Sequence, residues 1–322
     1  MNNGVFIISL DFELMWGVRD KRTISDYGDA ILGVRETFDR LLHLFSLYKV
    51  AVTFSTVGFL FNRDKQEFLD FPSELPQYRQ SELNPYPVIE TAVGTDEGHD
   101  PYHYAASLIQ KIIKEGKHEI GTHTYSHFYC LEDGVTSAQF IADIKKAKAV
   151  ASHYNVQLQS IIFPRNQYNT EILNACRKLG ILVYRGNEES AAFASSKNKD
   201  QTWTMRLMRL MDSYFNVLGH HTYPLRSEGI LINLPSSRFF RAYNPRLNFL
   251  ESLKMKRIIN SMTYAARNNQ VFHLWWHPHN FGRNSKENFA QLETILKHYQ
   301  FLKDKYGFES LTMLEAANRV QP

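Results

Sequence analysis

The chain has 322 residues, 43% of them hydrophobic and 22% charged, with a formal net charge of +4. That is an ordinary globular mix with apolar residue enough for one α/β barrel or two smaller domains. No run of like charges marks a nucleic-acid surface, and the two cysteines, Cys130 and Cys176, make neither a disulfide framework nor a cysteine zinc site.

No apolar run approaches the length needed to cross a bilayer, and no leader pattern is visible, so a cytoplasmic location is expected. Residues 5–13 alternate Val5, Ile7, Ser9, Asp11 and Glu13 with Phe6, Ile8, Leu10 and Phe12, a buried strand that turns acidic at its end. Asp11 and Glu13 are two apart and point to one side, where they would repel each other unless a cation or a raised pKa relieves them. A solvated strand end is the alternative. Residues 34–49 read as an amphipathic helix and 50–61 as a second strand region. From 62 to 104 the chain is irregular, and Pro72, Pro76, Pro85, Pro87 and Pro101 rule out one continuous helix. This stretch reads as an insertion bordering the site, with His99 and His103 expected at the surface.

A helix over 108–114 leads to His118-Glu119-Ile120-Gly121-Thr122-His123-Thr124-Tyr125-Ser126-His127. On a helical turn, His123 and His127 would share one face as a ligand pair for zinc or a similar ion; a plain pair of surface or core histidines is the alternative. The overlap of His118-Glu119 with His123 misses the metalloprotease spacing by one residue, and Gly121 interrupts the helix such a motif requires. Thr136 to Gln139 form a capping box for a helix to about 154. The strand at 161–163 stops at Pro164 and presents Arg165. Asn169 caps a helix that ends at Leu179-Gly180, and Ile181 to Tyr184 form a short strand before a polar linker to Gln201. Trp203 to Leu218 reads as a core helix or lid, with a membrane-surface helix as the alternative. His220 and His221 are unassigned. Arg238 and Arg241 lie near a strand end and, with Trp276, are candidate contacts for an anionic or hydroxyl-rich substrate. A helix over 249–267 precedes the last core strand, Val271 to Trp276, with His277 at its end and His279 just beyond.

The string from His118 to His127 strongly resembles the metal-binding motif of the polysaccharide deacetylases, the NodB-homology carbohydrate esterases. The resemblance implies a distorted (β/α)7 TIM-like barrel, and the chain itself reads as one catalytic domain over 1–322 with the Pro-rich insertion at about 62–104 and a variable segment at about 190–226. It implies a divalent metal, zinc being the expected ion, on His123, His127 and Glu13. The family's adjacent aspartates are here Asp11-Phe12-Glu13, so Asp11 aligns with the catalytic base and Glu13 would take the ligand role one position late. Arg165 would orient the base, and His277 would be the general acid with His279 as its rival. The implied reaction is removal of an N-acetyl group from a sugar of a cell-surface polysaccharide or its cytoplasmic precursor. An allantoinase-like amide hydrolase, a non-catalytic carbohydrate-binding barrel and a glycosidase are the competing readings.

Overall fold

A computed structural model describes residues 3–188 and 203–320. Among these residues nine strands form one parallel sheet: β1 Val5–Phe12, β2 Val52–Thr56, β3 Glu119–Thr122, β4 Ser160–Ile161, β5 Val183–Tyr184, β6 Ile232–Asn233, β7 Arg238–Phe239, β8 Val271–Trp276 and β9 Glu309–Ser310. Their order is β6-β5-β4-β3-β2-β1-β8-β7, and β9 also pairs with β1. The sheet is a curved parallel half-barrel, the distorted (β/α)7 type that the sequence implies. Helices α1 Ile24–Leu47, α2 Lys65–Leu69, α3 Tyr86–Thr91, α4 Ala106–Glu115, α5 Ser137–Ser152, α6 Thr170–Lys178, α7 Trp203–Asp212, α8 Asn248–Arg267, α9 Ser285–Tyr306 and α10 Met313–Asn318 surround it.

Strand β1 is an interior strand of the sheet, paired with β2, β8 and β9, and its period of two sorts the core. Phe6, Ile8, Leu10 and Phe12 pack outward among residues of the helix layer, including Phe38, Phe45, Leu296 and Tyr299. Val5 and Ile7 point inward and fill the floor of the half-barrel with Ile162, Val183, Leu234, Val271 and Met313 of α10. Ser9 and Asp11 continue the inward face above that floor. The interior is therefore apolar below and polar at the carboxyl ends of the strands, where sites of this architecture form.

Helix α1 begins ten residues before the expected start. Thr23 is its cap, and the Asp26 carboxylate accepts the Thr23 backbone N–H at 2.7 Å, completing a capping box. The capping box at Thr136–Gln139 and the Asn169 cap form as the sequence predicts. The 62–104 segment holds only short helices. Its His99 is exposed, but His103 is buried beside Asp100, contrary to the expected surface position, and its carbonyl accepts the Trp16 indole N–H at 2.8 Å. Helix α7 is a surface helix and not a core one: Trp203 is 73% exposed, and Leu207, Met208 and Met211 are also exposed. The linker expected over 185–201 lies largely outside the described residues.

One close approach fixes the loop after β8. A Cβ on Gly282 would come within 1.9 Å of the Ala30 carbonyl oxygen, and one on Gly33 within 2.3 Å of the Gly282 carbonyl oxygen. Helix α1 and the 278–281 turn thus meet backbone to backbone, which positions the segment carrying His279. Gly282→Ala is expected to overpack this contact and lower stability by about 1–3 kcal/mol. An unchanged midpoint in urea unfolding would contradict the contact.

Candidate active site

Glu13 follows the last residue of β1 and opens a 3₁₀ turn, Leu14–Gly17. Its carboxylate folds back over Gly17, where a Cβ would sit 1.9 Å from Glu13 Cδ. Glycine at 17 is therefore a steric requirement of where Glu13 points. Both Asp11 and Glu13 are 3% exposed.

The two histidines of the motif meet through a turn and not through the helical turn that their spacing suggests. Strand β3 ends at Thr122, after which Thr124 and His127 adopt left-handed φ values of 64° and 59°. Non-glycine residues hold such conformations only where their surroundings enforce them. Here the buried Asp143 of α5 accepts the N–H groups of Tyr125 at 2.6 Å and Ser126 at 3.0 Å, and the Ser126 hydroxyl. The Thr124 hydroxyl accepts the Phe128 N–H at 2.6 Å. The imidazole centroids end 5.1 Å apart.

His123 Nδ1 lies 2.8 Å from the Ile162 carbonyl oxygen. A carbonyl only accepts, so Nδ1 carries the proton and a neutral His123 turns the Nε2 lone pair to the site. That Nε2 is 3.3 Å from Glu13 Oε2, and His127 Nε2 is 3.0 Å from the same oxygen. Burial opposes ionisation of Glu13, but the surrounding imidazoles of His277, His123 and His127 outweigh it and hold the carboxyl well below its usual range. Burial also lowers His127 to about 4 against the pull of Glu13. A lone pair on His123 facing an ionised carboxylate is repulsive unless a cation lies between them. The ligand atoms of Glu13, His123 and His127 all fall within 4.8 Å of one another. Two imidazoles and one carboxylate are a donor set of catalytic zinc sites, so these residues fit a divalent ion.

Asp11 is held by an arginine, but not by Arg165. Arg185, just past β5, grips it with both nitrogens, Nη1 to Oδ1 at 2.6 Å and Nη2 to Oδ2 at 2.8 Å. The same guanidinium donates to Ser9 Oγ at 3.1 Å and Asn166 Oδ1 at 3.3 Å, and lies 4.0 Å from the Trp275 ring centroid. Burial pushes the Asp11 carboxyl up, and Arg185, with smaller help from His123 and His277, brings it below its usual value. Arg165 instead has a left-handed φ of 54°, lies over the Tyr129 ring at 3.9 Å, and pairs with Asp20 and with Glu132. The reversed backbone turns it out of the interior.

His277 reaches the site as expected. Its Nε2 is 3.8 Å from Asp11 Oδ2 and 3.6 Å from Glu13 Oε1. The three expected substrate contacts fall elsewhere. Trp276 is fully buried in the outer layer against Phe240 and Phe281, because it alternates with the inward set His273, Trp275 and His277. Trp275 is the tryptophan at the site. Arg238 is buried, with Nη1 2.5 Å from Asp212 Oδ2, and Arg257 pairs with the same carboxylate. Arg241 donates to Ser213 Oγ at 2.9 Å. Both arginines brace the end of α7. His221 joins that cluster through Asp212, and His220 stacks on Tyr264.

Beneath Asp11, His273 Nε2 lies 2.8 Å from Ser9 Oγ and its Nδ1 3.2 Å from the Leu234 carbonyl oxygen. The carbonyl fixes the proton on Nδ1, so Ser9 donates to His273 and accepts from Arg185. Sequence reasoning missed Arg185, Ser9, His273 and Trp275. The available signal was position: Arg185 directly follows an apolar strand, as Glu13 does.

Residues 23–184 match a family model described as polysaccharide deacetylase. The match includes His123 and His127 but not Asp11, Glu13, Arg185 or His277. No curated protein matches the chain. A putative polysaccharide deacetylase from Mycobacterium smegmatis has a TM-score of 0.59 at 13% identity, over 100% of this chain and 93% of that one. The Puue allantoinase gives 0.55 at 10% identity, over 98% and 88% of the two chains. A 4-alpha-glucanotransferase from Thermococcus litoralis gives 0.57 at 13% identity, over 100% of this chain but 41% of that one. At these identities the likeness is one of fold.

Removing the arginine tests the Asp11 clamp. Arg185→Gln leaves a buried carboxylate without its counter-charge, a loss of about 3–5 kcal/mol at neutral pH. In the wild type the folded pKa of Asp11 is lowered, so its contribution is present above the unfolded value and lost as pH falls through the folded one. In the variant the folded pKa rises above the unfolded value, so stability falls as pH climbs through that window. Urea unfolding from acid to neutral pH should therefore show a deficit that grows with pH. A deficit independent of pH would contradict the clamp.

Proposed function

Because the chain belongs to the polysaccharide deacetylase family, we propose that it hydrolyses the acetamido group of an N-acetylated sugar, in a cell-surface polysaccharide or its cytoplasmic precursor. The observation that carries this reading is the convergence of Asp11, Glu13, His123, His127 and His277 at the carboxyl end of the half-barrel. Glu13, His123 and His127 would hold a divalent ion, with zinc as the expected one. When bound, such an ion would acidify a water molecule and polarise the acetyl carbonyl.

The other steps belong to the protein. Asp11 accepts the water proton as oxygen adds to the acyl carbon. Arg185 fixes Asp11 in direction and keeps it ionised, so it is ready to accept at neutral pH. A carboxylate with a lowered pKa is a modest base, which makes prior acidification of the water necessary. His277 faces both carboxylates through Nε2 and is 24% exposed, so it can reach an entering substrate. It delivers a proton to the amine nitrogen as the C–N bond breaks, giving a free amine and acetate.

A polar cavity of about 460 Å³ supports a sugar substrate. Its lining includes Asp20, Lys21, Arg79, Glu82, Glu132 and Arg165. Arg165 joins it to the centre, since its guanidinium covers Tyr129 and the Tyr129 ring meets His127 at 5.1 Å. Charged side chains along such a wall suit hydroxyl groups, so Arg165 becomes a substrate-facing residue in this reading.

Acetate release from N-acetylhexosamine conjugates by the metal-loaded chain tests the reaction. His277→Ala is expected to keep bound metal and lose about 10²–10⁴ in rate. Full activity would remove His277 from the role. Elemental analysis should find no tightly bound ion after His123 and His127 are both changed to Ala. Asp11→Asn should keep the ion and lose turnover, and Glu13→Ala should lose the ion. The opposite pattern would exchange the two carboxylate roles.

A further inference from the structure

Glu13 presents each of its two oxygens to a different pair of imidazoles. Oε2 faces His127 and His123 at 3.0 and 3.3 Å. Oε1 faces His277 Nε2 at 3.6 Å and His279 Nε2 at 3.9 Å. Nothing in the hydrolysis above uses His279, yet it is 3% exposed and aimed at the centre. Its ring stacks on His277 at 5.1 Å with a 10° tilt and meets the Tyr27 ring at 5.5 Å. Among the described residues its Nδ1 has no partner, and 3.9 Å from Nε2 to Oε1 is too long for a hydrogen bond.

That spacing suits a shared ion. Two ligands each about 2.0–2.2 Å from a tetrahedral ion lie roughly 3.3–3.6 Å apart. The ligand atoms of Glu13, His277 and His279 also fall within 4.8 Å of one another. We propose that Glu13, His277 and His279 form a second divalent-cation site, with Glu13 bridging two ions, and that filling this site silences the enzyme. Carboxylate-bridged ions of this kind lie about 3.5–4 Å apart. The ligands are two imidazoles and a carboxylate, so the fitting ions are small transition metals such as Zn²⁺ or Co²⁺. The second ion is the weaker one, because its ligand spacings are longer and His277 is 24% exposed while His123 and His127 are buried. The silencing rests on His277 being the proton donor: with its Nε2 lone pair on an ion it cannot carry a proton. The site itself does not depend on that role.

Chelator-stripped full-length protein titrated with Co²⁺ tests both parts, with bound ion counted by equilibrium dialysis and followed by Co²⁺ visible absorption. Two ions per chain are expected, in a tight phase and a weaker phase. His279→Gln, checked for folding by circular dichroism, should bind one. Saturation of the wild type at one ion, or two ions retained by folded His279→Gln, would overturn the site. If the variant does not fold, the wild-type count decides alone. With Zn²⁺, acetate release should fall at least tenfold as the second ion binds; constant release through that phase would overturn the silencing. Two bound ions with no acetate release at any loading would keep the site and overturn the deacetylase reading instead.

Discussion

Two carboxylates are buried within three residues of each other at the end of an apolar strand, and the rest of the site follows from how each is kept charged. Burial drives Asp11 and Glu13 toward the neutral form, and side by side they would repel. The fold separates their solutions. Asp11 receives one fixed cation, the guanidinium of Arg185, in a two-point grip. Glu13 receives no arginine or lysine; among the described residues it is ringed by His123, His127, His277 and His279. A carboxylate held by a permanent cation is oriented for proton transfer. One ringed by imidazoles is prepared for an exchangeable cation.

These assignments organise the architecture as well as the chemistry. Strand β1 carries Asp11, runs straight into Glu13 and pairs with β2 and β8, so the strand leading to both acids is hydrogen-bonded to the strand that leads into His277. Arg185 reaches Asp11 across the interior from β5, which only the curvature of the sheet allows. The apolar floor of Val5, Ile7, Ile162, Val183 and Val271 closes the barrel below and removes water from beneath the ion pair. Breaking the pair is costly for that reason, even though a buried ion pair is weak evidence of stability in itself.

Local patterns were legible in the sequence, and contacts across the barrel were not. The His123/His127 pair and the period-two relation of Asp11 and Glu13 are written in short strings. The same period also selects Trp275 over Trp276, since His277 shares its face with Trp275. The arginine was harder. Arg165 stands after a strand in the expected place, but its left-handed φ turns the side chain outward, and nothing in Pro164-Arg165-Asn166 announces that reversal. Arg185 lies 174 positions from Asp11, so its role emerges only once β5 faces β1. The turn joining the two histidines was misread for a related reason: it depends on Asp143, which arrives from the next helix.

The central claim is that Glu13, and not Asp11, binds the ion with His123 and His127. Anomalous diffraction at the zinc edge, from crystals grown with one equivalent of Zn²⁺, tests it most directly. The account predicts a peak about 2.0–2.2 Å from a Glu13 oxygen and from one nitrogen of each histidine, with Arg185 still gripping Asp11. A peak on Asp11 with Arg185 displaced, or no peak within reach of Glu13, would contradict it.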